Sequence, residues 1–259
     1  MSVAPRPVVE RTVLLVGLGN YTHPTTRHSI GQYVLGPLLN RAVAHDRTIR
    51  AELARAPMRG TTYALPSPVE PTDFTFVRSA KGWIASATVL IDSMPPKGSA
   101  KRKAEVKYPI IHANVLFYIP KYLMNQNGLG VAAACAAYQE VKFPQDVLLL
   151  HDELSRSFGK VSFKKQGSAG GHNGVRSVLS VCCRQDKTMD LARLRVGIDR
   201  PVDNTDVSRY VLSEMPANWL AACKTSNHTT GEAVHTDVPP ILENVWKSTM
   251  QWIVDPLIP

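Results

Sequence analysis

Cysteine is scarce in this chain, and its few cysteines follow no recognisable pattern. The four cysteines contain no CxxC pair, and they are too few for a disulfide scaffold in a chain of 259 residues. We therefore expect a protein that works in a reducing, intracellular compartment. Because the N-terminus has no apolar secretory core, secretion is not expected, and the cytoplasm and the mitochondrion both remain open.

Long hydrophobic runs are also missing. The apolar runs, such as residues 87–91 and 147–150, fall far short of the ~20 apolar residues that a membrane-spanning helix needs. The sequence thus predicts a soluble protein with no membrane partner. Hydrophobic residues still make up 44% of the chain, and the mean hydropathy of −0.11 is typical of a globular protein with an ample core.

Several catalytic signatures are absent as well. The chain has no GxSxG sequence, no HExxH sequence and no cysteine in a recognisable nucleophile motif. No group of cysteines and histidines has the spacing of a zinc site, so we expect neither a metal nor a cofactor. Gly17 and Gly19 begin like a dinucleotide-binding loop, but the third glycine of that motif is replaced by Thr22.

What the sequence has in excess is positive charge. Thirty lysines and arginines against 21 acidic residues give a net charge of +9 and an isoelectric point near 9.5. Such an excess favours a polyanionic partner such as a nucleic acid. A basic surface without any partner is the alternative.

The apolar periodicity predicts an α/β protein without internal repeats. Continuous apolar runs indicate buried strands, and apolar residues at helical spacing indicate a helix that begins at Ile30. The predicted strands are 13–16, 61–65, 72–78, 82–91, 115–119, 147–150, 160–165 and 194–198, and the further helices are 125–141 and 175–181. Strands that alternate with helices indicate a largely buried sheet with helices on its faces.

Three stretches show weaker patterns. Residues 95–107 are rich in lysine and predict a solvated loop, with a phosphate-contacting arm as the alternative. In the strand at 160–165, alternation places Val161 and Phe163 on one face. Beyond about residue 215 the pattern becomes irregular, and we expect residues 252–259 to be loosely ordered.

Polar residues fall where the predicted buried elements begin or end. Asn20 and Asp152 each follow a strand, while Asn125 and Asn173 each begin a helix. In open α/β sheets, ligands collect beyond the carboxyl ends of the strands and near helix N-termini. If these ends converge, the four side chains and His28 line one pocket.

Such a set suits attack by a water molecule. His28 would take the proton of the water, Asp152 would fix the tautomer of the histidine, and the side-chain amides would hold a carbonyl or an oxyanion. Taken one at a time, each residue also has a structural explanation: Asn20 as a turn residue, Asp152 and Asn173 as caps, and His28 as one of eight histidines.

Four motifs together are more specific. GLGN…TRHSIG, YLMNQNG, LLLHDEL and GSAGGHNGVRS, in this order, resemble the bacterial type of the peptidyl-tRNA hydrolase family. The resemblance covers residues 12–215, with an insertion around 45–112, and leaves 216–259 as a C-terminal extension. These additions give the chain the look of a eukaryotic or organellar member.

The resemblance implies both a fold and an activity. The fold is a single-domain α/β/α sandwich with a central mixed, mostly parallel sheet. The activity is that of a carboxylic ester hydrolase, which cleaves the bond between the peptide and the 3′ end of tRNA and so recycles tRNA from stalled or aborted translation. A monomer that needs no metal is implied, with peptidyl-tRNA as the substrate and the ribosome as a further partner to test.

The resemblance also implies roles for three residues in the reaction itself. His28 matches the general base of the family, and Asp152 matches the carboxylate that supports it. Asn20 matches the asparagine that helps to favour blocked, peptide-bearing esters over free aminoacyl esters.

Substrate-binding residues are implied in the same way. Asn125, with Leu123 and Met124 before it, matches the segment that contacts the tRNA 3′ end and the peptide. Asn173 matches the asparagine that holds the substrate and the water. On this interpretation, nearby basic residues would flank the pocket and hold tRNA phosphates, although a solvated basic face is the alternative. These residues are Arg156, Lys160, Lys164, Lys165 and Arg176.

The chain departs from the family around the histidine loop. Tyr21 and Thr22 follow Asn20 where Pro-Gly is usual, the loop is shorter, and Ser29 replaces an asparagine. A non-catalytic RNA-binding protein, similar to a splicing factor, or a ribosome-associated protein on the same fold therefore stays open as an alternative. The joint presence of the five polar residues favours the enzyme, because a binding protein has no need of a carboxylate-supported base.

Overall fold

The fold is given by a computed structural model, which describes residues 6–55, 66–93, 108–183, 190–201, 206–224 and 240–257. The strands are β1 (Val8–Gly17), β2 (Thr72–Val77), β3 (Gly82–Asp92), β4 (Ile110–Pro120), β5 (Val147–Glu153), β6 (Val161–Lys164) and β7 (Ala192–Gly197). The helices are α1 (Ile30–Tyr33), α2 (Leu35–Arg55), α3 (Asn127–Ala137), α4 (Asn173–Cys182), α5 (Val207–Val211), α6 (Ala217–Ala222) and α7 (Ile241–Val254). Short 3₁₀ turns lie at Arg27–Ser29, Met124–Gln126 and Asp255–Leu257.

Over the described residues, seven strands form one mixed sheet in the order β2-β3-β4-β1-β5-β7-β6. The four central strands, β4, β1, β5 and β7, are parallel, and the flanking strands pair antiparallel with their neighbours. The α/β sandwich with a mixed sheet is therefore confirmed. We call the side of the sheet where the four parallel strands end the carboxyl edge, and the side where they begin the amino edge.

Both faces of the sheet are covered, and β1 shows why its sequence is a continuous apolar run. Val13 and Leu15 pack on the face covered by α2 and α7, whereas Leu14 and Val16 pack on the face covered by α3 and α4. All four side chains are essentially inaccessible to solvent. A parallel strand buried on both faces needs apolar residues at every position, so its sequence does not alternate.

A close approach of helix and strand sets the position of the histidine loop. Helical structure begins at Ile30 as predicted, but it is divided at Val34 into α1 and α2. Pro37 is tolerated because it falls in the first turn of α2, where its missing N–H is not required. Gly31 lies directly against β5, and a Cβ atom at this position would stand 2.1 Å from the carbonyl oxygen of Leu150. Glycine therefore lets α1, and the turn before it, sit on the carboxyl end of β5.

The irregular structure expected beyond residue 215 is wrong for the described residues there. Both α6 and α7 are regular helices, and α7 buries Trp246, Trp252 and Ile253 in the core on the α2 side of the sheet. The loosely ordered tail expected at 252–259 is likewise replaced by the end of α7 and a 3₁₀ turn, as far as Leu257.

Two further elements differ in detail from what the pattern alone shows. The helix expected at 125–141 begins as a 3₁₀ turn and ends at Ala137, four residues early. The face that Phe163 shares with Val161 is only partly covered, because β6 is an edge strand, and Phe163 is 44% exposed.

The region expected to be an insertion, residues 45–112, takes part in the sheet through β2 and β3. Its status as an insertion, like the domain boundary at residue 215, stays a prediction. The strand expected at 61–65 and the lysine-rich loop at 95–107 lie outside the described residues. Among the residues that are described, no helix combines the length and the apolar character needed to cross a bilayer.

Candidate active site

A cleft of about 400 Å³ opens at the carboxyl edge of the sheet. Its walls are formed by Asn20, His23, His28, Leu123, Met124, Asn125, Asn173, Ser208, Val211 and Leu212. Six of the seven predicted site residues therefore line one cleft. The seventh, Asp152, lies behind the ring of His28 at the end of β5.

The imidazole of His28 is held by a buried carboxylate. Its Nδ1 lies 2.8 Å from Oδ1 of Asp152, and both side chains are almost completely buried. Because an ionised carboxylate only accepts hydrogen bonds, Nδ1 carries the proton. The ring therefore offers an unprotonated Nε2, which is available to bind and deprotonate a water molecule in the cleft.

A second histidine, His172, binds the same carboxylate oxygen. Its Nε2 lies 2.8 Å from Oδ1 of Asp152, while its Nδ1 accepts hydrogen bonds from the backbone N–H groups of Gly174 and Val175. His172 is thus the N-cap of α4 and has its proton on Nε2. Sequence reasoning missed this residue as a member of the site, although it directly precedes Asn173.

The two imidazoles shape the ionisation of the site. Burial alone would raise the pKa of the Asp152 carboxyl, but His172 and His28 oppose it and hold this pKa well below its usual value. Burial also opposes protonation of His28, yet the charge and the hydrogen bond of Asp152 raise the pKa of His28 above 6.5. Asp152 therefore stays ionised and stabilises the imidazolium that His28 forms when it accepts a proton.

His151, the third histidine near Asp152, is excluded from acid–base work. Burial and the neighbouring His172 hold the pKa of His151 well below 6.5. Its Nδ1 lies 2.7 Å from the backbone oxygen of Asp152, and its ring contacts that of His172 at 4.5 Å between centroids. Since His151 is not part of the cleft wall, it supports the site from inside the protein.

His28, Asp152 and His172 also form a group whose ligand atoms lie within 4.8 Å of one another, near enough to hold a metal ion. The carboxylate oxygen, however, already lies 2.8 Å from each imidazole nitrogen, the distance of a charge-assisted hydrogen bond. Both imidazoles therefore donate a hydrogen bond to the same carboxylate oxygen.

Asn20 is fixed by its neighbours in a way that leaves one amide group free for a ligand. Its Oδ1 accepts a hydrogen bond of 2.7 Å from the backbone N–H of Met124, and its own N–H donates to Oγ of Ser29. The amide NH₂ group of Asn20 is therefore the part directed to the cleft.

The glycines before Asn20 serve close packing. Neither Gly17 nor Gly19 has a positive φ angle, so a left-handed backbone does not explain why glycine occupies these positions. A Cβ atom on Gly19 would instead meet the side chain of Gln32 at 2.5 Å, and one on Gly17 would meet the Gln32 backbone at 2.6 Å.

A buried asparagine that sequence reasoning missed ties the two walls of the cleft together. Asn127 accepts a hydrogen bond from the N–H of Gly19 at 3.0 Å and donates to the carbonyl oxygens of Gly19 and Leu123 at 3.1 and 2.8 Å. Its side chain is fully inaccessible. The only sequence signal was its place two residues after Asn125, which is itself exposed.

The histidine loop is also clamped from the other side. The guanidinium of Arg27 donates to Oγ of Ser213 and to the backbone oxygen of Glu214, and it lies over the ring of Tyr210 at 4.6 Å. A backbone bridge between Thr26 and Glu214 completes the contact. The segment after α5 thus fixes the position of His28 in the cleft.

The predicted phosphate-binding residues are not all at the cleft. Arg176 hydrogen-bonds Asn173 at the start of α4, and Lys160 lies near the carboxyl edge. Lys164 and Lys165 lie toward the amino edge, where Lys165 pairs with Asp190 at 3.9 Å and lines another cavity. The structure therefore separates these four residues into two groups, and Arg156, the fifth, lies beside Gly197 at the end of β7.

The comparison with known families decides the classification. A family model described as "Peptidyl-tRNA hydrolase" matches residues 80–252, well over half of the chain. The chain belongs to the peptidyl-tRNA hydrolase family. Membership places it in a family of enzymes, and the matched region extends past residue 215 into α7.

Individual members of the peptidyl-tRNA hydrolase family agree with this result. The "Peptidyl-tRNA hydrolase" of Dichelobacter nodosus is 37% identical over 139 residues, which cover 53% of this chain and 70% of that protein. The "Probable peptidyl-tRNA hydrolase" of Mus musculus is 30% identical over 200 residues, which cover 77% and 72%. The crystal structure of peptidyl-tRNA hydrolase from Acinetobacter baumannii shares the fold, with a TM-score of 0.52, 21% identity and 94% coverage of each chain.

Proposed function

We propose that this family member hydrolyses the ester bond that joins the peptide to the 3′ end of tRNA in peptidyl-tRNA, with His28 as the general base. The observation that carries the proposal is the imidazole of His28, which is oriented by buried Asp152 and opens through Nε2 into a cleft lined by side-chain amides. Relatives named peptidyl-tRNA hydrolase support the same activity.

In the first step, Nε2 of His28 removes a proton from a water molecule as the water oxygen attacks the ester carbonyl. The carbonyl π electrons move to its oxygen, and the resulting oxyanion is stabilised by hydrogen-bond donors of the cleft. Asp152 stabilises the imidazolium that forms. When the C–O bond to the ribose breaks, the leaving oxygen takes the proton from His28, so that the products are a free peptide carboxyl group and tRNA with its terminal hydroxyl.

The asparagines suit a substrate whose amino group is blocked. A peptide-bearing ester offers amide C=O and N–H groups: the NH₂ group of Asn20 can donate to the C=O, and the amide of Asn125, which also lines the cleft, can pair the N–H. A free aminoacyl ester offers an ammonium group instead, which cannot accept a hydrogen bond and so leaves a donor of the cleft unpaired. Buried polar groups left without partners discriminate strongly against the wrong substrate.

The cationic residues near the carboxyl edge supply sequence-independent affinity for the tRNA backbone. We assign this role to Arg176, which hydrogen-bonds the cleft residue Asn173, and to Lys160, which lies at the carboxyl edge, and leave Lys165 out because it lies toward the amino edge and pairs with Asp190. Higher salt should then weaken tRNA binding steeply. A flat response of affinity to salt would contradict the assignment.

The proposal is tested by hydrolysis of an N-acetylated aminoacyl-tRNA, with the unblocked aminoacyl-tRNA as the control substrate. The wild-type protein should cleave only the blocked ester, and His28→Ala should lower kcat by about 10²- to 10⁴-fold, the usual contribution of a general base. His23→Ala is the matched control, because His23 lines the same cleft but, within the part of the chain that the structure describes, its ring hydrogen-bonds only Thr22.

Three results would count against the proposal. Unchanged kcat in His28→Ala would exclude His28 as the base. Equal loss in the His23→Ala control would assign the effect to a general change in the cleft. Salt-dependent binding of tRNA without cleavage would support an RNA-binding protein on the same fold.

A further inference from the structure

Three aromatic rings form a surface beside the cleft, which we call the aromatic ledge: Tyr21, Phe76 and Trp83. Phe76 and Trp83 are paired across β2 and β3, with ring centroids 5.5 Å apart, and Trp83 lies 6.1 Å from the ring of Tyr21. Phe76 is 44% exposed and Tyr21 is 36% exposed. A single exposed aromatic residue needs no explanation, but a contiguous group that faces solvent indicates a binding surface.

The ledge is surrounded by positive charge. Nζ of Lys121 lies 4.8 Å from the centre of the Phe76 ring, and Arg78 and Lys81 are exposed on the turn that joins β2 to β3. Among the described residues, none of these three cations forms an ion pair. Elsewhere in the protein, cations such as Arg11 and Arg41 are neutralised by carboxylates.

The ledge is continuous with the candidate active site. Tyr21 of the ledge directly follows Asn20 in the cleft wall, and Lys121, which lies over the Phe76 ring, stands two residues before Leu123 in the opposite wall. The backbone N–H of Lys121 donates to the carbonyl oxygen of Lys81 at 3.1 Å, and the hydroxyl of Tyr118 donates to that of Ala80 at 2.7 Å. These bonds fix the β2–β3 turn against the segment that leads into the cleft.

We propose that the aromatic ledge binds the unpaired 3′ strand of the RNA whose terminal ester occupies the cleft; the inference rests on the proposed function. Bases stack on the exposed rings, and the phosphates between them pair with Lys121, Lys81 and Arg78. Single-stranded nucleic acid is bound by this combination of aromatic rings and cations, without sequence preference. The unpaired charge favours a polyanion over the peptide, which carries no charge in its backbone.

The test is a cycle between a protein variant and a shortened RNA. The dissociation constants of uncharged tRNA and of the same tRNA without its unpaired 3′ nucleotides are measured for the wild type, Phe76→Ala and Phe163→Ala. Phe163 is the matched control because it is also 44% exposed but lies on β6, at the far edge of the sheet. Lys121→Ala is a second variant, whose exposed position makes a failure to fold a poor explanation of any effect.

Removal of the 3′ nucleotides should weaken binding to the wild type and to Phe163→Ala by about tenfold, the order expected for base stacking on an aromatic side chain. The same removal should cost Phe76→Ala much less. In Lys121→Ala, the slope of log affinity against log salt should fall by about 0.7, the loss of one contact to a single-stranded phosphate.

Equal loss in all three proteins would overturn the proposal, because the ledge would then not touch the 3′ strand. A ledge variant that changes KM with peptide length, but leaves the binding cycle unaltered, would assign the surface to the peptide and would also overturn it. The binding measurements use uncharged tRNA and so do not depend on hydrolysis. If they give the expected differences but the protein does not hydrolyse the ester, the role of the ledge is supported and the proposed function is contradicted.

Discussion

The two edges of the sheet carry cavities that differ in kind. The cavity at the amino edge is the larger, about 780 Å³ against about 400 Å³ for the cleft at the carboxyl edge. At the amino edge, Arg11 binds Asp146 at 3.2 Å, donates to the carbonyl oxygen of Ile253 and lies over the ring of Trp252. These contacts pair the charge of Arg11 and hold β1 to the end of α7.

At the carboxyl edge, the buried carboxylate is paired, but one of its partners keeps a nitrogen open to the cleft. Asp152 binds two imidazoles, and one of them, on His28, keeps its second nitrogen open to the cleft. The proposed reaction therefore depends neither on the volume of a cavity nor on its number of charges. It depends on a titratable group that is oriented by buried partners and keeps one nitrogen open to the cleft.

The largest effect on catalysis is expected from a substitution of Asp152. Asp152→Asn keeps the shape of the side chain but removes the charge that stabilises the His28 imidazolium, so kcat for the blocked ester should fall by about 10³- to 10⁴-fold, as in other carboxylate–histidine pairs. Steady-state rates at neutral pH measure the effect, and a thermal melt of the variant serves as the control for folding. A variant that retains a tenth of the wild-type kcat would show that the charge is not needed.

A smaller effect is expected from His172, because it contacts Asp152 and acts on His28 only through that carboxylate. His172→Asn preserves an N-cap for α4 but does not reach Asp152, and it should lower kcat by roughly 10- to 100-fold, by analogy with outer partners of functional groups. It should also move the acid limb of the pH profile to higher pH, because a carboxylate with one partner fewer raises the pKa of His28 further. A lower rate with an unmoved limb would indicate a purely structural role.

Asn127 and Asn125 contrast a buried amide with an exposed one on the same segment. Asn127→Ala leaves the N–H of Gly19 buried without a partner and should lower the free energy of unfolding by about 1–3 kcal/mol. Asn125→Ala should change it by no more than about 0.5 kcal/mol, since the residue is exposed. Urea unfolding of both variants measures the difference, and equal stabilities would contradict the account of Asn127.

The smallest effect on catalysis is expected at the amino edge. Arg11→Ala should lower the free energy of unfolding by about 1–2 kcal/mol, because Asp146 and a carbonyl oxygen lose their partner. It should leave kcat and KM unchanged, since Arg11 lies far from the cleft. A large loss of kcat at unchanged stability would show that the larger cavity takes part in the reaction.

Several features of the site could be predicted from the sequence because they depend on local pattern. The continuous apolar runs of β1 and β5 predicted buried strands, and the polar residues at their ends, Asn20 and Asp152, were predicted to converge on one pocket, where Asn20 lines the cleft and Asp152 lies behind it. His172 and Asn127 were missed because their roles depend on distances between segments. The spacing of the histidines in the sequence does not show that two of them bind one carboxylate oxygen. The spacing of the asparagines does not show that Asn127 binds Gly19.

The errors in the fold have physical causes as well. Helix α7 follows two prolines, Pro239 and Pro240. In this irregular context, the helical spacing of its apolar residues was not recognised, although it includes Ile241, Val245 and Trp246. For β6, alternation predicted that Phe163 shares a face with Val161. It does not show whether another layer covers that face.

The most direct test of the central claim is the pH dependence of kcat/KM for the blocked ester, measured between about pH 5 and pH 8 for the wild type and Asp152→Asn. His28 must be neutral to act as a base, so activity should rise with pH through the raised pKa of His28, above 6.5, and then level off. In Asp152→Asn, the remaining effect of burial should move the limb to lower pH. A wild-type profile without this limb, or a limb that Asp152→Asn does not move, would contradict the claim that Asp152 holds His28 as the base.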